Sequence, residues 1–515
     1  MSAGLVWFKR DLRVEDHEPL VRAAASGPVL GLYAYEPCVL EADEHDARHL
    51  EFANDCLREL QEEFAALGSV LLIRRGDAVD VLERLWNEHR FERLYSHEET
   101  GLAVTYDRDR RVAAWCRRRG VAWHEVAQHG VVRGLKSRDG WARQWERRMR
   151  APVLAAPRLL EPWPNVHGLR AGGIASAGEL GVRTECETRG AQRGGAGEAR
   201  SLLASFLSER GETYQRNMSS PLAGWDACSR LSPHLAYGSL SVRAAYQAAR
   251  KRADELRREG VGGRWRGSIA SFEKRLHWHC HFIQKLESEP DIEFRNMHRG
   301  YDGLRTEDEG AWSDDERLRF DAWAEGRTGY PFADACMRCL RTTGWMNFRM
   351  RSMLVSVAAY HLWLHWRPLA RHLGRLFVDF EPGIHYSQVQ MQSGTTGINT
   401  VRIYNPIKQG RDQDPGGVFI RRWVPELADV EGDEVHEPWR GGSLFGWVPG
   451  GGYPRPIVEH AAAYRQAQRR IFAVRKTAEA RSEAKRVYDR HGSRKRGASR
   501  SAGRYRGAPE DRGVA

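Results

Sequence analysis

Five short apolar runs, at 4–8 (Gly-Leu-Val-Trp-Phe), 29–35 (Val-Leu-Gly-Leu-Tyr-Ala-Tyr), 69–74, 93–96 and 121–126, alternate with charged stretches of helical length. Few architectures accommodate that alternation, and it predicts a parallel α/β layer at the start of the chain. The segment 47–67 places apolar residues every three to four positions and charges between them, as an amphipathic helix requires. Around 164–200 the pattern gives way to Gly/Ala/Glu/Arg-rich sequence that reads as a connector. Beyond about 201 the strand runs stop and long helical patterns follow. A chain of 515 residues exceeds the ~250–300 at which a single core stops growing. The expected organisation is therefore an α/β domain over 1–135, a connector over 136–200, a helical domain over 201–473 and an unstructured basic tail over 474–515. No repeat at solenoid or propeller periods is visible.

Composition excludes several classes. No window approaches the ~18–20 uninterrupted apolar residues of a membrane span. The opening MSAGLVWFKRDLR lacks the order of a secretory signal, which predicts a cytoplasmic protein. Eight scattered cysteines are expected as reduced thiols, and the one CxxC pair, Cys336 and Cys339, lies in a helical pattern and is expected to pack, with no metal site. The net charge of +12, from 80 Lys+Arg against 68 Asp+Glu, favours a polyanionic partner. Part of it comes from the tail, including Arg494, Lys495 and Arg496.

Three segments carry specific chemistry. Ser229-Arg230-Leu231-Ser232-Pro233 puts hydroxyls and free backbone amides at a predicted helix start, which suits an anion. Residues 326–351 hold a dense block, Gly-Arg-Thr-Gly-Tyr-Pro-Phe-Ala-Asp-Ala followed by Met337-Arg338 and Thr343-Gly344-Trp345-Met346-Asn347-Phe348-Arg349-Met350-Arg351. An acidic pair follows in Val378-Asp379-Phe380-Glu381. Together with Val6-Trp7-Phe8-Lys9-Arg10-Asp11-Leu12-Arg13 at the start, and Arg402 to Pro406 and Phe419 to Leu427 later, these segments resemble the photolyase/cryptochrome family, in family order over roughly residues 4–430.

That resemblance implies a Rossmann-like α/β domain joined to a large all-α domain that binds FAD. The implied FAD contacts are Tyr214, Ser229, Arg230, Leu231, Ser232, Phe272, His279, Asn347, Arg351, Asp379, Glu381 and His385. The implied DNA contacts are Arg275, Trp278, Trp345 and Arg349, with Trp278 stacking on a flipped pyrimidine dimer. A second, light-harvesting chromophore of folate or deazaflavin type is expected in the N-terminal domain, and a monomer is expected. The implied activity is that of a light-dependent carbon–carbon lyase: photoexcited reduced FAD passes an electron to the dimer, its bonds split and the electron returns. The alternative is a cryptochrome-type blue-light photoreceptor without repair.

The chain also departs from the family pattern. Of the three tryptophans that carry electrons to the flavin, Trp312 and Trp366 have counterparts, but Val389 occupies the flavin-proximal place, leaving Tyr386 or Trp363 as substitutes. His385 falls beside the flavin N5, where its charge matters to proton exchange. Asn347-Phe348 replaces the family's His-Asn, and Arg275 stands where cyclobutane-dimer enzymes carry Glu. His277, His279 and His281 alternate on one predicted helix, so that only His277 and His281 share a face; they are expected as donors in the lesion pocket.

Overall fold

The computed structural model describes residues 3–164, 169–440 and 452–492. Strands β1 (Gly4–Phe8), β2 (Val29–Tyr35), β3 (Leu71–Arg75), β4 (Arg93–His97) and β5 (Ala122–Val126) form one parallel sheet in the order β3-β2-β1-β4-β5. We number helices of seven or more residues: α1 Glu18–Ala24, α2 Ala47–Ala66, α3 Ala78–His89 and α4 Ala103–Arg119 surround this sheet. One face buries Phe8 with Leu50, Leu57 and Phe64 of α2, and the other buries Trp7 with Leu82 of α3 and Trp115 of α4. Cover on both faces is why β1 and β2 read as unbroken apolar runs. Asp46 starts α2 with a capping box in which it accepts from the Arg48 amide while His49 accepts from its own.

The second domain is helical: α5 Trp141–Arg150, α6 Ala196–Ser208, α7 Val242–Arg258, α8 Arg264–Ser288, α9 Asp314–Glu325, α10 Pro331–Thr343, α11 Phe348–Ser356, α12 Trp366–Leu376, α13 Pro382–Ser393, α14 Pro406–Gln413, α15 His460–Arg475 and α16 Ala478–His491. Its spine is α8, packed on α7 and α13. A Cβ on Gly383 would lie 2.5 Å from the Ile283 Cα, so only glycine lets α13 approach α8 this closely.

Two expectations about organisation need correction. Within the expected connector over 136–200, α5 already belongs to the helical core through Trp141, Trp145 and Met149. The rest runs as a strap on the α/β domain, where Ile73 and Ala171, Val29 and Glu161, and Leu160 and Leu67 share backbone hydrogen bonds. The tail, expected to be unstructured from 474, instead continues as α16, anchored by Val487 in the main core and by His491, whose ring meets Glu289 at 2.5 Å. Few anchors in a polar sequence hid this helix. Residues 493–515, with Arg494 to Arg496, lie outside the described residues.

The opening motif joins the two domains. Arg10 donates to the carbonyls of Ala236 (2.9 Å) and Phe380 (2.6 Å), Arg13 to Gly238 (2.7 Å), and the Leu12 amide to Tyr237 (3.1 Å). Gly238 has φ +66, and a Cβ there would meet the Arg10 carbonyl at 2.3 Å, so this contact too depends on glycine.

Candidate functional site

The Ser229–Gly238 segment folds with a helix of only five residues, Ser232–Ala236. The expected helix-start amides are therefore a minor contribution, and the guanidinium of Arg230 supplies the charge. Arg230 holds φ +62, a costly conformation for a residue with a Cβ. Two indoles hold it there, Trp225 at 4.1 Å and Trp345 at 3.9 Å from ring centre to guanidinium. Burial lowers its pKa to about 10. Trp345, expected at the DNA face, is buried instead: its Nε1 donates to the Ser232 hydroxyl (3.3 Å) and its ring packs on Trp225. Ser232 itself is exposed, Leu231 is buried beneath it, and the Ser229 hydroxyl accepts from the Leu231 amide. Tyr214 packs edge-on against Phe206, which also touches Phe272.

Arg351 of α11 forms a bidentate pair with Asp379, both bonds 2.8 Å, and lies over Phe377. The planar fork fixes both side chains at once. Asp379 also acts electrostatically on Arg230, linking the two halves of the constellation. Asn347 does not join them as expected. It caps α11 by accepting from the Met350 amide (3.2 Å) and donates to the Ser220 carbonyl (2.7 Å), which commits both ends of its amide. Glu381 turns toward Arg10 (3.2 Å) at the domain boundary, and burial raises its pKa.

His385 is buried among Phe377, Phe380 and Tyr386, and its Nε2 donates to the Ala370 carbonyl (2.8 Å). Burial lowers its pKa to about 4, so it is neutral near pH 7, with Nδ1 unprotonated. Tyr386 meets Trp366 edge-on (6.1 Å) and donates its phenol to Glu44 of the other domain. Trp366 donates to Asn296, whereas Trp312 packs on Phe320 and donates to the Thr306 carbonyl. Trp363 lies apart, between Arg305 and Arg470 in a satellite cluster.

FAD needs donors for its diphosphate and polar partners along its ring. Buried polar atoms without a hydrogen-bond partner among the described residues include Arg230 Nη1, His279 Nε2 and Glu381 Oε1. Such atoms are costly unless a ligand satisfies them, and they fit this cofactor. His279 points away from its two neighbours, against His129, while His277 and His281 both face Trp141, as helix geometry requires.

Beside this constellation lies a cleft of about 430 Å³. Trp278, 47% exposed, and Phe348, 43% exposed, stand at it with Arg275 between their rings, 5.3 Å from the first and 6.0 Å from the second. In sequence Phe348 reads only as a replaced asparagine, and nothing local marks its ring as exposed.

A second crevice opens between the domains at the carboxyl ends of β1, β2 and β4, lined by Arg10, Tyr35, Glu36, Arg108, Tyr237 and Phe380 among others. The sheet order reverses between β1 and β4, the position at which open α/β sheets bind ligands. Asp11, His17 and His97 cluster beneath it, close enough together to suggest a metal. However, His17 Nδ1 accepts from the Leu20 amide, so its Nε2 carries the proton donated to Asp11. The cluster is a hydrogen-bonded hub. Cys336 and Cys339 are both buried in the apolar core.

Comparison with known proteins agrees with this geometry. A family model described as "DNA photolyase" matches residues 4–138, and one described as "FAD binding domain of DNA photolyase" matches residues 272–473. The chain is 32% identical over 488 residues to a deoxyribodipyrimidine photo-lyase of Streptomyces griseus, covering 91% of this chain and 99% of that protein. It is 28% identical over 481 residues to a cryptochrome DASH of Gloeobacter violaceus, covering 88% and 93% respectively. The crystal structure of a class III photolyase from Agrobacterium tumefaciens superposes with a TM-score of 0.78 at 26% identity, over 93% of this chain and 98% of that one. A parallel α/β domain latched by Arg10 and Arg13 onto a helical domain with an Arg230–Asp379–Arg351 constellation, matched along nearly its whole length by these relatives, belongs to the photolyase/cryptochrome family and carries that family's FAD-binding domain.

Proposed function

We propose that this protein is a light-dependent DNA repair enzyme that splits UV-induced pyrimidine dimers. The observation that carries the reading is the cleft: an exposed indole, Trp278, beside a second exposed ring, Phe348, with Arg275 between them and no carboxylate in the lining among the described residues. A flipped base leaves its stack and needs a new π-face, and the strand carrying it needs cations. FAD, when bound and reduced, supplies the photoexcited electron. The chain's own residues orient and shield. Arg230, Ser232 and the Asp379–Arg351 pair hold the cofactor, neutral His385 presents no charge to its ring, and Arg349 and Arg275 meet the strand.

Trp278→Ala is expected to weaken binding of dimer-bearing duplex by roughly 1–3 kcal/mol, the worth of stacking one base, with little change on undamaged duplex. Fluorescence anisotropy on the two duplexes, alongside light-dependent repair of defined cyclobutane and (6-4) lesions, checks this. Equal losses on both DNAs would sink the reading in favour of a photoreceptor. Arg275 and Val389 are the observations on that side, and a cryptochrome DASH is among the relatives.

For electron delivery, the contact of Tyr386 with Trp366 and His385 favours Tyr386 over Trp363 as the aromatic nearest the cofactor. Tyr386→Phe should slow light-driven flavin reduction more than Trp363→Phe does, measured by the loss of flavin absorbance under blue light. The reverse order would assign the path to Trp363. The crevice at the sheet switch point, with Tyr35, Tyr237 and Phe380 for stacking, is where a second chromophore of folate or deazaflavin type would sit.

A further inference from the structure

Lys285 lines the Trp278 cleft, yet only 5% of it is exposed. Its ammonium forms no hydrogen bond or ion pair with any described residue and lies over the face of Phe282, 4.9 Å from the ring centre. A buried cation with no counterion is costly, and such groups persist where a ligand supplies the missing charge. Among the described residues no Asp or Glu lines the cleft, whose other polar residues include Arg402, Gln392, Asn399 and Thr400. Of the acids at the end of this helix, Glu287 accepts from the Tyr106 phenol and the Gly134 amide, and Glu289, its C-cap, is engaged by His491, Arg486 and Arg490. His281, one turn before Lys285, accepts from Arg138 at 2.5 Å through Nδ1 and is thereby held neutral. Burial, with the Arg138 charge behind it, lowers the Lys285 pKa to about 8, the direction expected of an ammonium without a counterion.

The opposite wall comes from α16, which contributes Tyr488 and His491. This helix lies beyond the matched FAD-binding domain, which ends at 473. Docked through His491–Glu289 and through Arg490, which donates to the Ser288 carbonyl, it narrows the cleft at the end of α8 where Lys285 sits.

We propose that Lys285, walled by Phe282 and the C-terminal helix, forms an anion subsite that takes a phosphodiester group of the strand whose extruded base stacks on Trp278. The inference rests on the reading of the cleft as a lesion pocket. It assigns Lys285 a phosphate contact next to the flipped base, separate from the contacts of Arg275 and Arg349.

The test uses the full-length, flavin-loaded protein, its Lys285→Met and Lys285→Arg variants, and duplexes with one cyclobutane or (6-4) lesion. Each duplex is made with native linkages or with neutral methylphosphonates flanking the lesion. Lys285→Met should weaken lesion-duplex binding about tenfold, the worth of a charged hydrogen bond, and lower the salt slope by about 0.9. Neutral linkages should cost the native protein a similar factor and Lys285→Met almost nothing, while Lys285→Arg retains the affinity. Without DNA, Lys285→Met should melt at or above the native temperature, because an unpaired buried charge has been removed. Native binding by Lys285→Met, or an equal penalty from neutral linkages in both proteins, would overturn the subsite. A native protein that fails to prefer either lesion would overturn the lesion reading instead. The subsite is then judged by inorganic phosphate alone, which should raise the melting temperature of the native protein more than that of Lys285→Met; equal shifts would reject it.

Discussion

Replacing Arg108 with Met is expected to lower the unfolding free energy by about 3–5 kcal/mol, the range for removing one member of a buried ion network. Arg108 is 2% exposed and reaches Glu36 (3.0 Å), Glu99 (2.5 Å) and Asp109 (2.8 Å) while lying over Trp7. Lys9 also holds Asp109, but among the described residues no other cation pairs with Glu36 or Glu99. Burial pushes Glu99 up, yet Arg108 wins and brings it from 4.5 to about 2. A depressed carboxylate contributes stability above its ordinary pKa and loses it as pH falls through the folded value. The native protein therefore loses the Glu99 contribution between pH 4.5 and about 2, whereas the variant gains from protonating an unpaired acid. The deficit should thus shrink toward acid. Urea midpoints of the two proteins across this range, with Glu36→Gln added to relieve one orphan, check the prediction. A midpoint unchanged by Arg108→Met at neutral pH would mean that the network contributes nothing net.

Asp379→Ala is expected to yield protein purified nearly free of flavin. The substitution removes both bonds to Arg351, leaving that guanidinium with the Met346 carbonyl and the Phe377 ring, and removes the charge that acts on Arg230. Losing a bidentate charged pair beside the cofactor should cost at least tenfold in affinity, since hydrogen bonds to charged groups contribute about 1.5–3 kcal/mol. The control is Asp254→Ala, because Asp254 pairs with Arg257 on the exposed face of α7. Flavin-to-protein absorbance ratios report the outcome. Equal ratios in the two variants would remove Asp379 from the cofactor site.

Much of the fold was legible because it is encoded locally. Apolar runs marked the five strands close to their observed bounds, unbroken where both faces are covered in β1 and β2 and half-exposed in the edge strand β5, and the 3.6-residue period with the Asp46 cap marked α2. The family motifs were legible for a different reason: dense runs such as 326–351 leave little room for coincidence, and they located Arg351, Asp379 and His385 together.

The tertiary structure decided which side chains meet. Asn347 could cap a helix or face a cofactor, and only the position of Ser220 shows that both amide ends are engaged. Trp345 could serve DNA or core until Arg230 is seen in its left-handed turn between two indoles. Glu44 and Tyr386 lie 342 residues apart, and no periodicity links them. Lys285 reads in sequence as a solvated helix lysine, but it is buried near the end of α8, where α16, drawn from a polar tail with few apolar anchors, docks. Periodicity and caps act over a few residues, so one sequence read alone shows them. Burial and pairing depend on surfaces brought together from distant parts of the chain, and those exist only once it has closed on itself.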